Sequence, residues 1–408
     1  MMEPVKNTSK NNAGTDIVDT IKNTFKSNIR QYAMLIALVV VIVLFQILTD
    51  GILLVPMNVT NLVLQNSYVI ILAIGMTLCI LTGGNIDLSV GSICAFIGAI
   101  AGMGIITMKM NIVIVIALCL VVGVLIGVWQ GFWIAYVRIP AFIVTLAGML
   151  LFRGLTITML KGLTLSPFPE NFQLISAGFV PDVFKGFVVK LNLTALLVGI
   201  IISVIYVYSQ VKKRAERQKY NFEDMPFRLF IIQLVVILAA INLFTYWLAS
   251  YKGIPVILVL IGTLIVVYSF FTTKTVPGRY IYAMGGNEKA AKLSGINTNK
   301  VLFLTYVNMS LLAAVAGIAF SSRLNAASPQ TGMNFELDAI AACFIGGASA
   351  YGGVGTVVGA IIGALFMGVL NNGMSILGVG SDMQMTIKGL VLLMAVAFDV
   401  LSKMKAKS

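Results

Sequence analysis

Two glycine-rich runs hold most of the small polar residues that lie between apolar segments of the chain. The first reads LTGGNIDLSVGS over residues 81–92, and the second reads IGGASAYGGVGT over residues 345–356. Irregular backbone at membrane depth is tolerated only where protein or a water-filled cavity satisfies its polar groups. Glycine-broken apolar segments in both halves of a membrane protein therefore indicate a substrate path, and they predict a transporter with an internal repeat.

The polar side chains of these two runs are small and mostly uncharged. The candidate residues for a substrate path are Asn85, Asp87, Ser89, Ser92, Ser349 and Thr356. A path lined by hydroxyl and amide groups suits a neutral, hydrated solute, whereas ion-driven carriers usually need carboxylates along their path. Asp87 is also placed to cap the first turn of the helix that follows it. Substrate contact and helix capping therefore both stay open for this group.

A third glycine-containing run, GGNEKAAKLSGI over residues 285–296, lies in a charged loop. Asn287 is a suitable N-cap, and Lys292 suits the negative end of a helix dipole. Gly295 follows where a left-handed residue after the helix is favoured, so the run predicts a short helix. The neighbouring Ala290 and Ala291 would leave a flat surface that another protein could approach closely. An ordinary connecting loop has the same features.

The elements that must hold these runs are membrane spans. The 408 residues are 59% hydrophobic and only 11% charged, with a mean hydropathy of +0.98. Soluble domains are about 45–50% apolar and about 25% charged. Each helical span needs roughly 20 apolar residues, so we predict an all-α integral membrane protein, a polytopic helical bundle of about twelve spans. The predicted spans are 33–48, 62–82, 88–108, 112–137, 141–160, 193–209, 228–249, 254–272, 301–321, 336–350, 354–377 and 386–402. The runs at 141–160 and 336–350 are the weakest, and either could be a broken helix.

The net charge of +13 is explained by topology without a nucleic acid, because cytoplasmic loops of membrane proteins are enriched in Lys and Arg. With the N-terminus inside, the predicted inner segments hold Lys6, Lys10, Lys22, Lys26, Arg30, Arg138, Lys212, Lys213, Arg214, Arg217, Lys219, Arg228, Lys274, Arg279, Lys289, Lys292, Lys300, Lys403, Lys405 and Lys407. The outer loops keep Lys109, Lys161, Lys185, Lys190, Lys252 and Arg323. This asymmetry predicts a multi-pass protein of the cell membrane with both termini cytoplasmic. In a cell with two membranes, it would be the inner one.

Several kinds of chemistry are excluded by what the sequence lacks. No GxxxxGK[ST] string occurs, so the chain has no P-loop with which to bind and hydrolyse ATP. There is no histidine, and the four cysteines lie in apolar runs without metal-ligand spacing, so no metal site or catalytic residue is predicted. Glycines at four-residue spacing, such as Gly123, Gly127 and Gly131, predict close packing between helices. If ATP drives transport, a separate subunit must supply the ATPase.

The three runs, together with ELDAIAACF before the second, resemble the permease subunits of bacterial ABC importers for monosaccharides such as ribose, galactose, arabinose and xylose. The resemblance covers roughly Met34–Phe152 and Ile254–Lys403. It implies that this chain binds no cofactor, and that a partner ATPase binds ATP and Mg. It also implies an extracytoplasmic sugar-binding protein and a second permease copy in a homodimer. The residues implied to contact the ATPase are Gly285, Gly286, Asn287, Glu288, Ala290, Ala291, Ser294 and Gly295.

The resemblance also divides the chain. Residues 1–32 and 403–408 are cytoplasmic tails around a permease domain at 33–402. This domain contains an external loop at 161–192 and a cytoplasmic coupling loop at 273–300. Smaller members of the family have a core of about ten spans, so 193–249 is an inserted helical pair with a basic cytoplasmic loop. Chains of this length look most like xylose or multiple-sugar permeases.

A secondary active, ion-coupled carrier of twelve spans is the alternative from another class. The basic loop at 212–228 lies near the middle of the chain, as in a six-plus-six architecture. The scarcity of carboxylates within the spans argues against such a carrier. The two glycine runs also do not fall at equal offsets in two six-span halves.

Overall fold

The structure is a computed structural model that describes residues 29–184, 191–220 and 226–407. Residues 1–28 of the predicted N-terminal tail lie outside the described residues, as do 185–190 of the external loop, 221–225 of the basic loop and Ser408. The described part is helical, and its only β-structure is two isolated bridges, so the prediction of an all-α protein is confirmed.

Fifteen helices follow one another along the described chain. They are α1 Ile29–Leu48, α2 Pro56–Leu81, α3 Val90–Gly102, α4 Ile112–Ala135, α5 Ala141–Leu160, α6 Glu170–Ala177, α7 Leu193–Lys219, α8 Phe227–Ala249, α9 Val256–Lys274, α10 Val276–Gly286, α11 Glu288–Leu293, α12 Thr298–Leu324, α13 Phe335–Ile345, α14 Val357–Ile376 and α15 Ser381–Lys407. A 3₁₀ turn at Ile52–Leu54 precedes α2, and a π-helical turn at Met103–Thr107 continues α3.

Nine of the helices in the described residues are long and apolar enough to cross a membrane. They are α2, α3 with its π-helical turn, α4, α5, α7, α8, α9, α12 and α14. The other three predicted spans coincide with α1, α13 and α15. Of the two weak spans, α5 is unbroken. The other, α13, has only 11 residues and rises about 16 Å, about half of a bilayer core.

The core of the bundle is formed by α2, α3 and α12, with α4 and α14 packed against them. In α2, 83% of the most apolar window is buried. The glycine stripe of α4 packs directly on the α12 backbone: a Cβ on Gly127 would lie 2.6 Å from the Cα of Val307, and one on Gly131 3.0 Å from the carbonyl oxygen of Phe303. These glycines therefore act as the packing residues that their spacing predicts.

The segment after α5 forms a cap at one end of the bundle. Leu165 exchanges two backbone hydrogen bonds of 2.9 Å with Ala327, and α6 places Phe172 in the core. The hydroxyl of Ser322 on α12 donates to the carbonyl of Phe172 (2.8 Å) and accepts from the backbone N–H of Ser176 (3.1 Å). The cap is therefore tied by hydrogen bonds to the Ser322 hydroxyl of α12 and to the backbone just after that helix.

Candidate functional site

The three glycine runs meet at the end of the bundle opposite the cap. The N–H of Gly353 donates to the carbonyl of Leu81 (3.1 Å). A Cβ on Gly285 would lie 1.7 Å from that carbonyl oxygen and 2.5 Å from the Gly353 nitrogen. A Cβ on Gly352 would lie 2.4 Å from the Cα of Gly83. These contacts join backbone to backbone, and we call the segments 81–84, 285–286 and 350–353 the glycine junction.

Glycine is required in this junction for its conformation as well as for space. Gly83 and Gly84 have φ values of 119° and 77°, and Gly352 and Gly353 have values of 83° and 70°. This region is costly for residues with a Cβ. The chain can therefore leave α2 and turn before α14 in a small volume, which lets α10 approach both turns.

The short helix predicted after Gly286 is present as α11. The Asn287 side chain accepts from the N–H of Ala290 (3.0 Å), so its prediction as the N-cap is confirmed. Gly295 has a φ of 86°, as a residue after a helix end favours. Gly285 and Gly286 are the last residues of α10 rather than part of the short helix. The predicted coupling loop thus contains two helices, α10 and α11, and the junction contact lies at the end of α10.

The exposed face of α11 differs from the flat alanine surface that the sequence predicts. Ala291 is buried against the rest of the chain, whereas Ala290 is exposed. Leu293 is 90% exposed, the highest value among the large apolar side chains described. Successive residues of a helix are turned by about 100°, so residues 291 and 293 lie on roughly opposite sides. Sequence reasoning missed Leu293, although its spacing from Ala291 was a usable signal.

A surface ion pair connects α11 to the α4–α5 loop. The guanidinium of Arg138 donates to a carboxylate oxygen of Glu288 (2.7 Å) and to the side-chain oxygen of Asn299. Both members of the ion pair are about half exposed, so its contribution to stability is small, about 0–1 kcal/mol. Its consequence is geometric, because α11 is held to two parts of the bundle.

The polar residues of the first run form a buried network. One carboxylate oxygen of Asp87 accepts from the N–H (2.8 Å) and the hydroxyl (2.6 Å) of Ser89. The amide of Gln130 on α4 donates to the Ser89 hydroxyl (2.8 Å). Asp87, Ser89, Ser92 and Gln130 all have no exposed surface. The Asp87 carboxylate therefore binds Ser89, the N-cap residue of α3, and makes no side-chain cap to the helix itself. Gln130 is a partner that the sequence did not indicate.

The remaining candidates for a substrate path make local hydrogen bonds. The Asn85 amide donates to the Thr82 hydroxyl (3.1 Å). The buried hydroxyl of Ser349 accepts from the N–H of Tyr351 (3.1 Å). Thr356 is the N-cap of α14, where its hydroxyl accepts from the N–H of Gly359 (2.9 Å). Asn85 and Ser349 therefore lie beside the junction, while Thr356 has a structural role at a helix start. Contact of any of them with a substrate stays a prediction.

A buried ion pair anchors the short helix α13. The ammonium of Lys388 on α15 lies 3.0 Å from a carboxylate oxygen of Asp338, and the hydroxyl of Tyr68 on α2 donates to the other oxygen (3.1 Å). The Asp338 side chain is 4% exposed. Within the described residues, no group of three His, Cys, Asp or Glu side chains could hold a metal ion.

A bundle of apolar helices that contains a half-length helix, a glycine junction and an exposed short helix defines a multi-pass membrane permease. The chain belongs to the family described as "Branched-chain amino acid transport system / permease component", whose model matches residues 58–396. No solved structure matches the chain.

Curated relatives match almost the whole chain. It is 39% identical over 382 residues to the xylose transport system permease protein XylH of Haemophilus influenzae, covering 93% of this chain and 98% of the relative. It is 38% identical over 380 residues to the XylH of Escherichia coli K12, covering 93% and 94%. The ribose import permease protein RbsC of that strain is 35% identical over 376 residues, covering 92% and 95%. The resemblance to sugar permeases of ABC importers is confirmed.

Proposed function

We propose that the chain is the membrane subunit of an ATP-driven importer that moves a monosaccharide, with a pentose favoured. A separate ATPase, which binds ATP and Mg, docks on α11, and an extracytoplasmic sugar-binding protein delivers the sugar. A second copy of the chain completes the membrane part as a homodimer. The observation that carries this proposal is the exposed helix α11, which directly follows the end of α10, where Gly285 contacts both glycine turns.

The coupling argument follows from rigid contacts. The ATPase moves α11, and α10 carries that displacement to Gly285. Because the Gly285 backbone lies against Leu81 and Gly353 with no side chain between them, it cannot move without displacing the ends of α2 and the turn before α14. Packed interfaces respond to such displacements as discrete shifts. Alternating access then comes from movement of the segments that end at the junction.

Leu293 supplies the contact that the partner would bind most strongly. A nearly fully exposed leucine that follows two lysines of the same short helix, Lys289 and Lys292, fits an apolar pocket with an acidic rim. Apolar anchors buried at the centre of an interface contribute about 2 kcal/mol or more when truncated. A loss of that free energy corresponds to about 30-fold in affinity. We therefore expect Leu293→Ala to weaken ATPase binding about 30-fold in the reconstituted complex.

The docking experiment compares ATPase binding and sugar-stimulated ATP hydrolysis for Leu293→Asp, Ala290→Glu and Val211→Asp. The first two place a charge on the docking face and should abolish stimulation. Val211 is a half-exposed apolar residue at the same end, on the inserted pair, and it is the matched control. Normal stimulation by Leu293→Asp would reject the docking role. Loss with all three variants would indicate a general effect of added charge.

The substrate class is tested against the family description, which names branched-chain amino acids. We expect ATP-dependent uptake of D-xylose or D-ribose, and none of L-leucine, in liposomes that contain the permease, ATPase and binding protein. Uptake driven by an ion gradient without ATP would favour the secondary carrier. The buried carboxylate of Asp338 is already paired with Lys388, so it gives no support to that carrier.

The orientation is a further part of the proposal, and it has α11 and both termini in the cytoplasm. Single cysteines at Lys289 and Val183 should react from opposite sides of the membrane, since Val183 is 77% exposed in the cap. The four native cysteines are buried, so they give a low background. Labelling of both positions from the outside would reverse the assigned topology.

A further inference from the structure

A polar cavity of about 250 Å³ lies at membrane depth in the half of the bundle away from the glycine junction. Its walls come from α2, α12, α13 and α14. The lining residues that carry polar or aromatic groups are Gln65, Asn66, Tyr68, Phe320, Arg323, Phe335 and Asn371. Tyr68 is 12 residues from the start of α2, about 18 Å along the helix, so the cavity reaches the middle of the span.

The composition of this cavity argues against lipid as its neighbour. Gln65 is exposed within the apolar helix α2, and the half-buried Arg323 is the next-to-last residue of α12. Charged and amide groups facing hydrocarbon are costly, and in membrane proteins they almost always face the bundle interior or a water-filled cavity. This opening therefore faces water or another protein chain.

The polar groups of the cavity fall into two sets. Asn66 and Tyr68 are already used, because the Asn66 amide donates to the carbonyl of Ala364 (2.7 Å) and the Tyr68 hydroxyl donates to Asp338. The side-chain oxygen of Asn371 is buried without a hydrogen-bond partner. Within the described part of the chain, the side chains of Gln65 and Arg323 also have no hydrogen-bond or ion-pair partner. Three groups with free donors or acceptors therefore line one cavity.

An aromatic cluster forms the opposite part of the lining. The rings of Tyr68 and Phe335 stack at 3.9 Å between centroids, and Phe320 packs edge-on against Phe335 at 4.9 Å. An apolar wall with a few placed polar groups is the usual composition of a small-molecule site. No carboxylate lines the cavity, so a zwitterion would find no partner for its ammonium group, whereas a neutral polyol needs none.

We propose that this cavity is a transient site for the transported sugar, in which Gln65, Arg323 and Asn371 hydrogen-bond its hydroxyls beside the aromatic cluster. This rests on the proposed function. The site lies about 20 Å along α2 from the glycine junction, since 13 residues separate Tyr68 from Leu81. It also touches α13 through Phe335, so displacement of α13 changes its shape. A site formed in one conformation and distorted in the other would release the sugar inward.

The test measures uptake of D-xylose and of a deoxyxylose that lacks one hydroxyl, at saturating loaded binding protein, for Gln65→Leu, Asn371→Leu and Asn242→Leu. Saturation removes the affinity of the binding protein from the comparison. We expect the two cavity variants to lower D-xylose uptake roughly 5- to 20-fold, as expected for a lost hydrogen bond to a buried group. One of them should also reduce the preference for D-xylose over the deoxy sugar. ATPase stimulation by the binding protein should stay near that of the unmodified complex.

Asn242 is the matched control because it is an exposed membrane-segment asparagine on α8, far in sequence from the cavity and bonded to Ser203 (3.0 Å). Gln65 is exposed, so Gln65→Leu tests the site even if Asn371→Leu fails to fold. Unchanged D-xylose uptake by the two cavity variants would overturn the proposed site. An unchanged preference between the two sugars in both variants would also overturn it, and so would a loss of uptake matched by an equal loss of ATPase stimulation. Failure of the proposed function would look different, because the unmodified complex would then show no ATP-dependent sugar uptake.

Discussion

The glycine junction and the α7–α8 pair both depend on close glycine contacts, but different atoms face the glycines. At the junction, Gly285 faces a carbonyl oxygen and Gly352 faces an α-carbon, so every contact is with backbone. In the pair, Gly199 faces the side chain of Thr245, whose hydroxyl would lie 2.4 Å from an added Cβ. A substitution can shorten the side chain that faces Gly199, but no substitution removes the backbone atoms that face Gly285 and Gly352.

Burial separates the same two regions. Most of α2, which leads into the junction, is buried, whereas 11% of the most apolar window of α7 and none of that of α8 is buried. The α7–α8 pair therefore packs mainly on itself at the edge of the bundle. The junction therefore lies in the core of the described bundle, whereas the pair lies at its edge.

The strongest way to break this comparison is Gly285→Ala. The new methyl group would overlap the Leu81 carbonyl, so we expect a loss of about 3 kcal/mol or more, measured as a lower thermal midpoint in detergent. Gly286→Ala is the neighbouring control, because no atom lies within 4 Å of its added Cβ and its φ is not positive. Equal stability of the two variants would show that the backbone at the junction has room for a methyl group at Gly285.

The second prediction concerns the ion pair that anchors α13, the helix that leads into the junction. Lys388→Met leaves Asp338 buried without its cation, and breaking such a pair typically costs about 3–5 kcal/mol. Because Lys388 is 22% exposed, we expect a loss at or below the lower end of that range. Adding Asp338→Asn should restore most of the stability, because the buried charge is then gone. A double variant as unstable as the single one would contradict this account.

Local signals in the sequence were sufficient for the long helices and for the start of α11, whereas α6 and α10 were not predicted. The N-cap at Asn287 and the left-handed Gly295 depend on neighbours within a few residues, which is why spacing predicts them. The break at α13 was also visible, because its apolar run is short and carries two acidic residues at its start. The bounds of α7 were not predicted: the helix continues ten residues past 209, through a basic segment without an apolar pattern.

The site was predicted less completely, because its contacts join distant parts of the chain. Asp338 and Lys388 are 50 residues apart, and Gln130 reaches Ser89 across 41 residues. No short spacing encodes either pair. The polar cavity combines a few residues from each of four helices, and no short spacing in the sequence joins them. Sequence reasoning therefore found the glycine runs and missed the cavity.

The smallest expected loss of stability is at Gly199, and this position also gives the most direct comparison between the pair and the junction. Gly199→Ala would place a methyl group against Thr245, which is itself buried and hydrogen-bonded to the Ile241 carbonyl (3.0 Å), so we expect a loss of about 1 kcal/mol, at the low end for overpacking. Sugar uptake should be unchanged. Adding Thr245→Ala removes the group that the methyl would meet, and it should recover part of the lost stability.

No such rescue is available at the junction, because the atoms that face Gly285 belong to the backbone of Leu81 and Gly353. A screen of substitutions at those two positions in the Gly285→Ala background should therefore return no stabilised variant. The same screen at Thr245 in the Gly199→Ala background should return several. If Gly285→Ala were rescued as easily as Gly199→Ala, the two regions would not differ in kind, and displacement at α11 would have no rigid contact through which to reach the ends of the spans.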